Sequence, residues 1–211
     1  MRKSLILVTA LLPTFAQAED VVIAALGDSL TQGYGLPEAE GFVPQLQNWL
    51  DEAEIDARII NAGVSGDTTA GGLSRVDWTL TPDVDGMIVA LGGNDLLRGI
   101  DPSVSRANLE GILKAAEAED VPVLLVGMQA PGNFGPDYKQ EFDAIYPELA
   151  ASFETVYAES FFKGLGVEQG DPASVRPFMQ SDGIHPNADG VEQIVSTLGP
   201  YVAELIARSS P

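Results

Sequence analysis

The stretch Val21-Val22-Ile23-Ala24-Ala25-Leu26-Gly27-Asp28-Ser29-Leu30 sets the reading of the chain. Its first six residues are apolar throughout and rich in β-branched side chains. Such a run suits a strand buried on both faces, as strands of parallel sheets are. It ends in a polar turn that delivers a serine. Working outward, residues 86–91, 121–126 and the shorter 57–60 read the same way, and 153–157 supplies a fifth candidate strand. Between them lie segments of helical period. Phe42, Leu46, Trp49 and Leu50 share one face. Val104, Leu109, Ile112, Leu113 and Ala116 form a looser stripe. Val191, Ile194, Val195, Leu198, Val202, Leu205 and Ile206 make the clearest helix, capped early by Asn187 and Asp189. Alternating strands and helices predict an α/β fold, a parallel sheet covered by helices on both faces.

The polar clusters fall at one end of this sheet. Gly27-Asp28-Ser29 follows the first strand, Asn61-Ala62-Gly63-Val64-Ser65-Gly66-Asp67 the second, and Gly92-Gly93-Asn94-Asp95 the third. Ligands of open parallel sheets bind beyond the carboxyl ends of the strands, so the three turns converge on one cleft.

The N-terminus reads differently. Arg2 and Lys3 precede an apolar run, residues 5–12, and then Ala16-Gln17-Ala18. This is the pattern of a secretory signal peptide cut after Ala18, and the run is too short to span a bilayer. Residues 19–211 then form one domain, long enough to bury a substantial core. A periplasmic or secreted location follows, with no stable membrane anchor. The chain has no cysteine, which removes disulfides, thiol catalysis and cysteine metal sites. Its formal net charge is −20, and −22 once Arg2 and Lys3 are gone. A polyanion of this size repels nucleic acid and anionic lipid.

One histidine occurs in 211 residues, within Asp182-Gly183-Ile184-His185-Pro186. A serine hydroxyl is a weak nucleophile until a base takes its proton. Ser29 is the candidate nucleophile and His185 the single candidate base. Asp182, three residues earlier, reaches the other ring nitrogen around a tight turn, fixing the tautomer. The backbone N–H groups of Ser29 and Gly66 and the side-chain amide of Asn94 are candidate donors to the oxyanion. Taken singly, Ser29 reads equally well as a helix cap, His185 as a surface loop residue, and Gly66 and Asn94 as turn residues. Together they favour acyl transfer.

Gly27-Asp28-Ser29-Leu30-Thr31, Gly66, Gly92-Gly93-Asn94-Asp95 and Asp182-Gly183-Ile184-His185-Pro186 occur in the order of the motif blocks of the SGNH (GDSL) hydrolases, which this chain resembles from about Val21 to its C-terminus. The stretches 61–69, 91–98 and 144–147 are similar to the bacterial periplasmic branch of thioesterases, lysophospholipases and arylesterases. The resemblance implies a flavodoxin-like three-layer α/β/α sandwich with a mainly parallel five-stranded sheet. It implies Ser29, Asp182 and His185 as catalytic residues, Ser29, Gly66 and Asn94 as the oxyanion hole, and no cofactor or metal.

The expected substrate is a small-molecule acyl ester or thioester. Leu96, Leu97, Ile100, Met128, Pro131, Phe134 and Phe178 are candidates to line its acyl site, Leu97, Phe134 and Phe178 foremost. The Gly/Pro-rich loops 130–137 and 161–182 flank it. Three other readings compete. A carbohydrate acetylesterase would keep the mechanism. A metal-dependent phosphohydrolase would use Asp28, Asn94, Asp95, Asp182 and His185 as ligands, although such sites normally draw on several histidines. A periplasmic binding module would need no serine, imidazole and oxyanion donors together. Because no second histidine exists to substitute, His185→Ala is expected to lower 4-nitrophenyl ester hydrolysis by orders of magnitude while leaving the circular dichroism spectrum unchanged. Retained activity would remove His185 as the base.

Overall fold

A computed structural model describes residues 21–166 and 172–209. The proposed signal peptide, residues 1–18, lies outside them, as does Gly170 of the 161–182 loop. The strands are β1 (Val21–Gly27), β2 (Ala57–Gly63), β3 (Gly86–Ala90), β4 (Val123–Val126) and β5 (Val156–Ala158). They form one sheet in the order β2-β1-β3-β4-β5, and every pairing is parallel. The helices are α1 (Ser29–Gln32), α2 (Phe42–Glu52), α3 (Thr69–Thr79), α4 (Gly93–Arg98), α5 (Pro102–Ala118), α6 (Pro136–Ser152), α7 (Pro172–Val175) and α8 (Ala188–Ser209). α2 packs with α8 in one layer, and α3, α5 and α6 pack together in the other. The architecture is the α/β sandwich expected from the alternation of apolar runs and helical stripes.

The core follows that pattern. Ile23, Ala25, Leu26, Met87, Ile88, Val89, Leu124 and Leu125 are buried in the sheet, and Leu46, Leu50, Leu109, Ile112, Ile194, Leu198, Val202 and Leu205 cover it. Asn187 caps α8, its Oδ1 accepting from Gly190 N–H. Asp101 caps α5, accepting from Ser103 N–H, and Pro102 occupies the first helical position.

Some boundaries differ from the sequence reading for local reasons. β2 runs on through Asn61, Ala62 and Gly63, which look like a turn but pair with Ala25, Leu26 and Gly27. β4 starts only at Val123, because Pro122 has no N–H to give the ladder and contributes its carbonyl to Met87 N–H instead. β5 begins at Val156 because Phe153 still closes α6, its N–H bonding Leu149 O. Val104, placed on the apolar stripe, is 47% exposed, and Ser105 takes the buried position. The 161–182 loop, read as irregular, contains short helical turns at Lys163–Leu165, Pro172–Val175 and Arg176–Phe178.

The strand register sets the height of the polar turns. Gly27 lies level with Gly63 on one side and Ala90 on the other. The chain therefore leaves three adjacent strands at one height. The order of strands places a topological switch point between β1 and β3, where the crevice of such sheets opens. Tyr146 anchors this end from below: 1% exposed, it donates its O–H to Leu91 O at 2.8 Å, just past the end of β3. Tyr146→Phe leaves that buried carbonyl unpaired and is expected to destabilise the fold by about 1–3 kcal/mol. The readout is a lower urea midpoint with an unchanged m-value; an unshifted midpoint would mean the bond contributes nothing net.

Candidate active site

Ser29 opens α1 directly after β1, and Asp28 before it caps the helix, its Oδ1 accepting from Leu30 N–H at 3.0 Å. His185 arrives from the other end of the chain. Its Nε2 lies 2.9 Å from Ser29 Oγ and its Nδ1 2.7 Å from Asp182 Oδ2. An ionised carboxylate only accepts, so Nδ1 carries the proton and Nε2 is left to accept from the serine O–H. The other Asp182 oxygen accepts from Ile184 N–H at 2.9 Å and His185 N–H at 3.0 Å. Gly183 permits this turn: its φ of +66° lies in the left-handed region, and its N–H bonds Gln180 O. The hydrogen bond from the His185 ring, then those from the two backbone amides, hold the Asp182 carboxyl down at about 2.

The donors expected around an oxyanion border the same cleft. Ser29, Gly66 and Asn94 all line it. Among the described residues no acceptor takes the backbone N–H of Ser29 or of Gly66. Gly66 has a φ of +84°, which a residue with a side chain adopts only under strain. Its carbonyl is held by Arg98 Nη2 at 2.7 Å, a link from the end of α4 to the turn after β2. The Asn94 amide donates to Asp28 Oδ2 at 3.2 Å, which fixes its orientation.

Arg75, which the sequence reading did not single out, holds these turns to the sheet. Its guanidinium bonds Asp67 Oδ2 at 2.7 Å, Ala62 O at 2.7 Å and Gly27 O at 2.8 Å. It thus ties the ends of β1 and β2 to the Gly66 turn. Asp95, a ligand in the metal reading, points elsewhere. It is fully buried, and its oxygens accept from Thr69 N–H, Thr69 Oγ1 and Ser105 Oγ. Those bonds join α4 to α3 and α5, so its role is to hold the third turn in place.

The cleft has a volume of about 470 Å³. Leu97 and Phe134 line it, together with Leu30, Leu96, Met128, Pro131, Phe162 and Ile184. Leu97 is 62% exposed and Phe134 43%, so both present apolar surface that the core does not use. Phe178 does not line the cleft. It ends the helical turn Arg176–Phe178 and packs, partly buried, against the core, while its carbonyl accepts from Asn187 N–H. Ile100 is likewise outside the lining; its carbonyl takes the Tyr138 O–H.

Two neighbours of His185 escaped the sequence reading. The Tyr34 ring lies against the imidazole, centroids 4.7 Å apart and planes inclined by 38°. Gln180 binds the backbone on both sides of this contact. Its Nε2 donates to Tyr34 O at 2.8 Å and Pro186 O at 2.9 Å, and its N–H to His185 O at 2.8 Å.

Comparison with known proteins gives a match to the GDSL-like Lipase/Acylhydrolase family over residues 25–193. The chain is 37% identical over 191 residues to Esterase TesA of Pseudomonas aeruginosa, covering 90% of this chain and 92% of that protein. It is 33% identical over 198 residues to Thioesterase 1/protease 1/lysophospholipase L1 of Escherichia coli K12, covering 93% and 90%. Among solved structures, AlinE4, an SGNH-hydrolase family esterase, superposes with a TM-score of 0.73 at 45% identity, covering 90% of this chain and 98% of that one.

Asp28 generates a pH prediction. It is 1% exposed, and burial pushes its carboxyl from 3.8 up to about 6, against the hydrogen bonds from Leu30 and Asn94 that pull it down. A folded-state value above the unfolded one means that folding takes up a proton between the two. The stability from this group is present below about 4 and is lost as pH rises through about 6, on the order of 3 kcal/mol in all. Denaturant unfolding from pH 4 to 7 is expected to show the native protein falling progressively behind Asp28→Asn. Parallel pH profiles would contradict the shift.

Proposed function

Since this chain belongs to the GDSL-like lipase/acylhydrolase family and is a carboxylic ester hydrolase, we propose that it is an exported serine esterase acting through an acyl-enzyme on Ser29. Its substrates are short- to medium-chain acyl and aryl esters, with thioesters and lysophospholipids as further members of the range. The observation that carries this reading is the continuous line from Asp182 through His185 to Ser29, with contacts of 2.7 and 2.9 Å.

Ser29 Oγ attacks the acyl carbon as its proton passes to His185 Nε2. Asp182 stabilises the imidazolium that forms. The carbonyl oxygen becomes an oxyanion and takes hydrogen bonds from Ser29 N–H, Gly66 N–H and the Asn94 amide. When the carbonyl reforms, the bond to the leaving oxygen or sulfur breaks and His185 gives that atom its proton. Water then enters along the same path: His185 takes a proton from it, its oxygen bonds the acyl carbon, and Ser29 leaves with the proton returned. The apolar walls given by Leu97, Phe134 and Met128 suit the acyl chain.

Export is supported by the charged start, apolar run and Ala16-Gln17-Ala18 of the N-terminus. Among the described residues no helix is long and apolar enough to cross a membrane. The cleft lies in a chain of strongly negative charge, which favours neutral esters over polyanionic thioesters.

A fluorophosphonate probe is expected to add one adduct, on Ser29 by peptide mass analysis, and to abolish activity in step. Ser29→Ala should take no adduct and lose hydrolysis of 4-nitrophenyl esters, and Asn94→Ala should lower turnover by about 10²–10³. Equal rates for Ser29→Ala and the native protein, or activity removed by EDTA and restored by a divalent metal, would overturn the mechanism.

A further inference from the structure

We propose that Tyr34 is the leaving-group subsite of this enzyme, and that its ring selects esters whose alcohol portion is aromatic. The inference rests on the Ser29–His185 mechanism above and deepens it.

Proton delivery fixes where the leaving group sits. His185 Nε2 must protonate the departing oxygen, so that oxygen comes within about 2.6–3.2 Å of Nε2. The Tyr34 centroid is only 4.7 Å from the centroid of the same imidazole. The group bonded to the departing oxygen therefore leaves beside Tyr34, near enough for an aromatic alcohol portion to extend onto its ring. Tyr34 is free to receive it: the residue is 51% exposed and lines the cleft with Ser29 and His185.

The backbone that carries the ring is held in place. Tyr34 N–H bonds the carbonyl of Ser29 itself at 3.0 Å, and Tyr34 O accepts from Gln180 at 2.8 Å. Gln180 in turn bonds the backbone of the His185 turn. The platform thus moves with both the nucleophile and the base. A flat face on a fixed backbone has few torsions to order on binding and favours a flat partner, since ring pairs gain over and above the area they bury. The acyl side is built from other turns, by Leu97 after β3 and Met128 and Phe134 after β4. Acyl preference and leaving-group preference therefore belong to separate residues.

The test compares phenyl acetate with ethyl acetate, which share one acetyl-enzyme and differ only in the group that leaves. The ratio of their kcat/KM values is measured for the native protein, Tyr34→Phe and Tyr34→Leu. Tyr34→Leu is expected to lower the phenyl-to-ethyl ratio about fivefold, and Tyr34→Phe to keep it. The reverse step gives a second readout. Benzyl alcohol should intercept the acetyl-enzyme better than 1-butanol in the native protein, and lose that advantage in Tyr34→Leu. A ratio unchanged in Tyr34→Leu, or equal losses on both esters, would overturn the subsite while leaving the acyl-enzyme intact. Hydrolysis of phenyl acetate by Ser29→Ala at the native rate would instead overturn the mechanism beneath it.

Discussion

The 2.9 Å contact between Ser29 Oγ and His185 Nε2 joins residues 156 apart in sequence, and the larger features of the fold are what hold it. The serine is fixed from the sheet, because β1 is buried between β2 and β3 and its end is level with both. The histidine is fixed from the helical layer. Its turn is pinned by the bridge from Met179 to Pro186, by Asn187 N–H to Phe178 O, and by the cap that starts α8 two residues on. α8 then packs against α2 and reaches the sheet. A shift of either body by about 1 Å would break the hydrogen bond, so the packed core between them is part of the proposed catalytic geometry.

The two acidic residues of the candidate site occupy opposite environments, and each suits the task proposed for it. Asp182 is solvated and receives three hydrogen bonds, which keep it ionised to about pH 2. In the proposed mechanism it can therefore balance an imidazolium on His185. Asp28 is buried, with its carboxyl pushed up to about 6. Its two hydrogen bonds orient the helix that carries Ser29 and the amide of Asn94, at a cost in stability near neutral pH. Concentrating that cost beneath the groups proposed to react is how a folded protein trades stability for a preorganised site.

Much of this is legible in the sequence, for physical reasons. Continuous apolar runs such as 21–26 report strands buried on both faces, and the turns after them carry the residues that cannot be buried. Gly183 and Pro186 announce a tight turn, and the Asp-x-x-His spacing fits one. Contacts set by partners distant in the chain are not legible. Gln180 and Tyr34 are 146 residues apart, and neither has a local signature that points to the other. Arg75 reads as an ordinary helix arginine until the ends of β1 and β2 are seen to pass beside it. Phe178 falls outside the acyl site expected for it because its direction depends on the bridge between Met179 and Pro186, which no spacing rule supplies. Asn61 to Gly63 look like a turn by composition, but the parallel ladder with β1 extends the strand through them.

The chain has one imidazole, so its titration can be followed by NMR without assignment by mutation. The central claim is that this imidazole, neutral and held by Asp182, is the base for Ser29. The direct measurement is the midpoint of the His185 carbon-bound proton shift against pH, set beside the acid limb of kcat/KM for a neutral ester in the same buffers. The acid limb of kcat/KM reports the ionisation of the free enzyme's essential base. The two midpoints are expected to coincide. An imidazole that titrates well away from the activity, or activity that stays flat while His185 takes up its proton, would contradict the claim.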